Sequence, residues 1–399
     1  MNPTHTILLE FDPTLNRIAK GKKLSDGLSV VVQLGKYLWV ANDETLSIER
    51  LTLKEAGRTG EYAYAGEHVQ FRLNDYLKLP IPPTDDDPEE WEEADLEGLA
   101  YEDGYLWLIG SHSLKRKTPK EKEPKSDDSP EKTVEKAQKR LSIIEGEGNR
   151  YLLARIPIEQ SDETYVLVKE TSGDGKKRTA AQVRGDKYGN DLIDELKEKE
   201  KVKEDDKDKD KERKHLYPFF AIPSKDNGFD IEGLAIANGH LFIGLRGPVL
   251  RGWSIILEVV PEEDKKDPTR LKLKPFGPDD RAYRKHFLQL GGLGIREMCF
   301  QGNDLLILAG PTMGLDGPVS LFRWTNVLKI NGESVVPSSE LAIDRLSIPY
   351  GDGNDHPEGI TMLASPDGKK GRSILVVHDL PADHRKFGEN TLAADVYRL

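Results

Sequence analysis

The sequence predicts an all-β fold: a five-bladed β-propeller closed by the N-terminal strand, with charged insertions on one blade, spanning 1–399 as a single domain. Three observations carry that reading. A pair of short apolar segments separated by a polar turn recurs five times. The equivalent positions Asp26, Glu97, Glu232, Arg296 and Glu358 are spaced by 71, 135, 64 and 62 residues, so only one interval is anomalous. An orphan apolar strand, Thr6-Ile-Leu-Leu-Glu-Phe11, opens a chain whose last repeat is one strand short.

The copies run in order from Asp26-Gly-Leu-Ser-Val-Val-Val to Lys36-Tyr-Leu-Trp-Val40, then Glu97-Gly-Leu-Ala-Tyr with Tyr105-Leu-Trp-Leu108, and Glu232-Gly-Leu-Ala-Ile with His240-Leu-Phe-Ile243. Arg296-Glu-Met-Cys-Phe with Leu305-Leu-Ile307, and Glu358-Gly-Ile-Thr-Met-Leu363 with Ser373-Ile-Leu-Val-Val377, complete the set. Turns such as Asp103-Gly104 and Asn238-Gly239 mark each pair as a hairpin. Further strands follow the hairpins, as at Tyr151-Leu-Leu-Ala-Arg-Ile156, Trp253-Ser-Ile-Ile-Leu-Glu-Val259 and Val319-Ser-Leu-Phe-Arg-Trp324, which makes four strands per unit. Pairing the N-terminal strand onto the last unit leaves no long open edge. A β-sandwich pair or two separate barrels is the alternative architecture.

The long second interval holds two charged insertions, 114–149 and 173–214. From 197 to 214 every residue except Val202 is charged, with both signs mixed, which reads as a solvated helix extension or a disordered loop. Just before it, Leu192, Ile193 and Leu196 stand at helical spacing and predict a docked helix turn on the surface.

Hydrophobic residues make up 37% of the chain and charged residues 32%, with a net charge of -12, a balance that disfavours nucleic acid and anionic membranes as partners. A small-molecule anionic ligand, a metal ion or a protein partner remains. Cys299 is the only cysteine, so an intrachain disulfide and a multi-thiolate zinc site are excluded. Neither a signal-peptide pattern nor an apolar run of membrane-spanning length is present, and the expected location is cytoplasmic. There is no phosphate-binding loop ending in Lys-Ser or Lys-Thr, no Gly-x-Ser-x-Gly elbow and no His-Glu-x-x-His pair. Gly291-Gly-Leu-Gly294 precedes a strand where a dinucleotide fingerprint would open a helix.

In a propeller the first strand of each blade lines the channel, so Asp26, Glu97, Glu232, Arg296 and Glu358 are expected to ring one opening. Four carboxylates on one axis repel unless a cation lies among them, and the hard oxygen set of Asp26, Glu97, Glu232 and Glu358 suits calcium or magnesium. Alternatively, each carboxylate caps a blade by accepting backbone N–H bonds. Second-strand ends bring Asn42, Asp43, Ser111, His112, Arg246, His378 and Asp379 to the same rim, and His356 precedes Glu358 by two residues. Arg246 lies in Gly244-Leu-Arg-Gly-Pro248, where glycines admit a ligand to the backbone or simply make a turn.

The Glu-Gly-Leu-Ala and Pro-Glu-Gly-Ile starts, with the Val-Val-His-Asp379 strand end, resemble bacterial domain-of-unknown-function family 3616 and the esterase-like phytase propellers. More loosely, the ring resembles the five-bladed calcium-activated nucleotidases (apyrases), which implies metal ligation by Asp26, Glu97, Glu232 and Glu358. Arg296 departs from that all-acidic pattern.

The resulting expectation is a metal-assisted hydrolase of a phosphorylated or otherwise anionic small molecule, of the phosphatase or phosphoesterase kind. Glu97, Glu232, Glu358, Arg296 and His378 are the candidate catalytic residues, and Arg246, His112, His356 and Asp379 the candidate ligand-binding residues. A non-catalytic propeller scaffold for protein–protein interaction is the alternative. Sugar binding would need aromatic platforms at the mouth, whereas Trp39 and Trp107 read as core residues.

Overall fold

The computed structural model describes residues 2–55, 61–84, 91–119, 129–161, 164–173, 175–200, 215–364 and 372–399. Most of the charge run, at 201–214, and part of the first insertion, at 120–128, lie outside the described residues.

The chain opens with β1 (His5–Glu10). It then runs through an antiparallel meander of β2 (Leu28–Leu34), β3 (Tyr37–Asn42), β4 (Ser47–Glu55) and β5 (Tyr62–Arg72). The next meander comprises β6 (Leu96–Glu102), β7 (Tyr105–Gly110), β8 (Leu153–Ser161) and the short β9 (Ala181–Val183). After it come β10 (Asp230–Ala237), β11 (His240–Gly247), β12 (Trp253–Val259) and β13 (Tyr283–Gln289). A further meander holds β14 (Gly294–Gln301), β15 (Asp304–Gly310), β16 (Val319–Trp324) and β17 (Leu341–Ile348). The last strands are β18 (His356–Leu363), β19 (Ser373–Asp379) and β20 (Thr391–Arg398). The fold is thus predominantly β and propeller-like.

β1 completes the last meander by pairing antiparallel with β20, from His5 opposite Val396 to Glu10 opposite Thr391. It also touches β5 in parallel at Leu8 with Tyr64 and Leu9 with Ala65, so the first and last meanders share one eight-stranded sheet. The inner strands β2, β6, β10, β14 and β18 each pack on the next, and β18 returns to β2.

The apolar pattern explains why the meanders stack. Strands β3 and β7 are buried along their whole length, because both faces meet another sheet. Trp39 and Trp107 are core residues, 0% and 5% exposed, so neither can serve as a platform at the mouth. One cluster joins Val30, Trp39 and Ile48 to Leu99, Leu106 and Leu108 of the next meander. Another joins Val31, Leu38 and Val40 of the first to Leu375, Val377 and Val396 of the last, through Ile7 and Leu9 of β1. Each fully buried aliphatic side chain contributes roughly 1.5–3 kcal/mol, so such shared clusters hold the ring.

The insertions divide differently from the expectation. The first carries a two-stranded hairpin, Leu114–Arg116 with Ile144–Gly146, and helix α1 (Pro130–Leu141), which buries no residue. The segment 180–196, read as peripheral, belongs to the core. β9 pairs with β8 and with the strand Asp267–Leu273, while helix α2 (Asp191–Glu200) seats Leu192, Ile193 and Leu196 in the cluster around Ile231 and Tyr283. The charge run that follows disguised its neighbour. Among the described residues no helix is long and apolar enough to cross a membrane.

Candidate functional site: an acid-rich central funnel

Every inner strand carries a bulge at the same place. Register shifts fall between Leu28 and Val30, Leu96 and Gly98, Ile231 and Gly233, Ile295 and Glu297, and Pro357 and Gly359. The residues stepped over are Ser29, Glu97, Glu232, Arg296 and Glu358, and a bulge re-aims its extra side chain out of the ladder. These are therefore the equivalent positions of the ring. Asp26 is not one of them: it ends the turn Leu24–Asp26, three residues early, with a side chain 41% exposed and Lys386 at 3.9 Å. Asp26-Gly-Leu imitates Glu-Gly-Leu in sequence, but the ladder begins at Leu28. Ser29 takes the ring place and donates to the Leu96 carbonyl at 2.6 Å.

The glycine after the acid serves packing. A Cβ on Gly98 would lie 2.4 Å from Leu234 Cβ, and one on Gly359 would lie 3.0 Å from Val30 Cα, each on the next inner strand. The glycines around Arg246 are explained in the same way. A Cβ on Gly244 would meet Ile295 Cγ2 at 2.5 Å and one on Gly247 would meet the Gly228 carbonyl at 2.4 Å, which leaves no opening for a ligand there.

Three guanidiniums cross-brace the funnel. Arg296 donates through Nη1 to Glu232 Oε2 at 3.0 Å and Glu358 Oε1 at 3.2 Å, and through Nη2 to the Pro311 carbonyl at 3.0 Å. Arg246 bonds the other oxygen of Glu232 and the Met313 carbonyl, with Asp230 at 4.0 Å. Arg150 reaches Asp95 at 2.9 Å and Glu147 at 2.7 Å and also bonds Glu93. Two acids missed in the sequence, Asp95 and Asp230, stand two residues before Glu97 and Glu232. The repeated Asp-x-Glu-Gly-Leu was the signal available, whereas Arg150 follows an insertion and has none.

Against these cations the funnel gathers Asp43, Asp95, Glu97, Asp230, Glu232, Glu358 and Asp379. Burial, then the charges of Asp95, Glu232, Glu358 and Asp43, hold the Glu97 carboxyl well above its usual range. Burial and Asp379 do the same for Asp43. Glu358 is pushed up to about 8 by burial and Asp379, although Arg296 opposes the shift. Neither Asp43 nor Glu97 has a hydrogen bond or ion pair from its carboxylate among the described residues.

The histidines stand apart from this set. His112 is buried at φ +54°, donates from Nδ1 to the Gly110 carbonyl at 2.7 Å and accepts at Nε2 from Asn190, so both nitrogens are spent on structure. Burial lowers its pKa to about 4, which keeps the ring neutral. His378 is 1% exposed, with both nitrogens unpartnered and a pKa lowered to about 3 by burial and then Arg385. It is shut off from solvent and unsuited to proton transfer near neutrality. His356 is partly exposed, with Nε2 3.0 Å from Asp316 Oδ1, and Asp379 ends the strand paired with it.

A calcium ion ligated directly by Asp26, Glu97, Glu232 and Glu358 does not fit this donor set. Asp26 is outside the ring and Arg296 occupies Glu232 and Glu358. Among the described residues no three His, Cys, Asp or Glu side chains converge closely enough to hold a metal ion.

Two solved structures are similar along the whole chain. One, from Thermus thermophilus and assigned as a putative oxidoreductase (glucose dehydrogenase), shares 12% identity at a TM-score of 0.34, covering 98% of this chain and 100% of its own. The other, apo AztD from Citrobacter koseri, shares 12% identity at a TM-score of 0.23, covering 95% and 93%. At such scores neither likeness carries an argument about fold or activity. No curated protein matches the chain. The strand starts that build the ring all fall within residues 27–395, which match a family described as Protein of unknown function (DUF3616), and the chain belongs to that family.

Proposed function

We propose that this chain is a five-bladed β-propeller whose funnel binds a cation, with Glu97 as the side chain that attracts it. The blade count is supported by the inner strands, each packed on the next and the last on the first, and by apolar clusters shared between successive meanders. The cation reading is supported by one observation above all: Glu97 lies among the charges of Asp95, Glu232, Glu358 and Asp43, and among the described residues its carboxylate forms no ion pair. Once its acids are ionised, the funnel, with seven acids against three arginines, attracts positive charge, and a bound cation favours that ionised form. Each guanidinium is already bonded to a carboxylate, so a phosphate would find no free fork. That balance favours a cation over the anionic substrate expected of a hydrolase. Because no three donors converge among the described residues, the occupant is a cation held through its water shell or spread over several acids.

The test is thermal unfolding at constant ionic strength with calcium, magnesium or spermidine against sodium. A ligand that binds only the native state raises Tm. The expected result is a shift in the wild type at pH 8 that shrinks at pH 5, where protons compete, and that is lost in Glu97→Gln. An equal shift in Glu97→Gln, or none with any cation, overturns the reading and favours a scaffold.

A further inference from the structure

A cavity of about 370 Å³ opens between the first two meanders. It is bounded by the segment leading into β2, the turn after β3, the end of β5 and Trp91. That volume is in the range of small-molecule sites.

Among the described residues its wall has a charge opposite to that of the chain. Arg17, Lys22, Arg72 and Lys115 reach the cavity against two carboxylates, Glu44 and Glu93, in a protein of net charge -12. Lys22 bonds Glu44, and Lys115 pairs with Glu93 at 3.2 Å, where Glu93 is also held by Arg150. Both acids are therefore neutralised. Arg17 and Arg72 are exposed and form no ion pair among the described residues. The Arg72 guanidinium lies over the Trp91 ring, 5.9 Å from its centroid, so a flat cation and a flat apolar surface form one platform. Leu15, Ile18 and Leu46 supply the apolar remainder.

We propose that this cavity is a binding site for an organic anion with a planar or apolar body, of the carboxylate, sulfonate or phosphate monoester class. The body stacks along Trp91 and against Ile18 and Leu15. The charged group meets Arg17 and Arg72, the two guanidiniums of the lining that have no acidic partner among the described residues. This site does not rest on the cation reading of the funnel, from which it differs in charge.

The experiment is a fluorescence titration with 1-anilinonaphthalene-8-sulfonate, an aromatic anion, beside its uncharged relative N-phenyl-1-naphthylamine. Arg17→Glu/Arg72→Glu, Trp91→Ala and Glu97→Gln are compared with the wild type. Arg17 and Arg72 are exposed, so the charge reversal is expected to leave Tm unchanged, and that measurement separates a lost site from a lost fold. Saturable binding of the sulfonate is expected, weakened about tenfold or more in the double reversal because two attractions become repulsions. Trp91→Ala weakens both dyes, and Glu97→Gln weakens neither. Binding of the sulfonate that is unchanged by the double reversal, or no tighter than that of the uncharged dye, overturns the proposal.

Discussion

Asn190 donates from Nδ2 to His112 Nε2 at 2.7 Å, and its Oδ1 accepts from the Ile193 N–H at 3.1 Å. One side chain thus starts helix α2 and fixes the strand end beside the funnel. Asn190→Ala removes a helix cap and orphans a buried imidazole nitrogen, and the expected loss is about 2–3 kcal/mol. Urea unfolding should show a lower midpoint at an unchanged slope. Asn190→Asp, which keeps the cap but not the donor, is expected to fall between.

Arg296 offers a sharper test of the cross-brace. Arg296→Met leaves Glu232 and Glu358 short of a buried counter-charge, and a loss of about 3–5 kcal/mol is expected. Adding Glu358→Gln removes one of the stranded charges, so the double variant should recover part of that loss. A double-mutant cycle by chemical denaturation measures the coupling.

The raised carboxyls set a pH dependence. A folded pKa above the unfolded value means that the native state holds more protons, so the stability this gives is present at low pH and is lost as pH rises through the folded value. For Glu358 the window runs from about 4.3, the unfolded value, up to about 8. Glu97 and Asp43 shift in the same direction. Without added cation the protein should therefore be less stable at pH 8 than at pH 5. Glu97→Gln should flatten that slope and raise Tm at pH 8.

Close packing of the inner strands makes Gly98 intolerant of a side chain. Gly98→Ala places a methyl 2.4 Å from Leu234 Cβ, and a cost of about 1–3 kcal/mol is expected. Gly146→Ala, on the peripheral hairpin with its nearest contact at 3.3 Å, should be close to neutral. Paired melting curves decide this.

The sequence displayed the hairpins because strand alternation and Asp-Gly or Asn-Gly turns are local signals, and the strand at Thr6 was legible because it had no local partner. The ring was legible wherever Glu-Gly recurs, at Glu97, Glu232 and Glu358, and misleading at Asp26, since motif similarity cannot see where a ladder starts. Arg150 and Asn190 were illegible for a different reason. Their partners, Asp95 and His112, lie 55 and 78 residues away across an insertion, and no periodicity links them. Charge pairing was hidden as well: the aligned repeats set acids around Arg296, but only geometry shows that it binds two of them.

The pairing of β1 with β20 also has a consequence for how the molecule is made. Thr4 and Val396, bonded through N–H and carbonyl at 2.8 Å, are 392 positions apart. On a ribosome β1 emerges well before β20 and can pair with it only once β20 has been made. Until then the growing chain must keep the apolar β1 waiting, with only its short parallel contact to β5 available to hold it. The same geometry sets Thr4 beside Val396, so labels at these two positions would report the moment of that pairing.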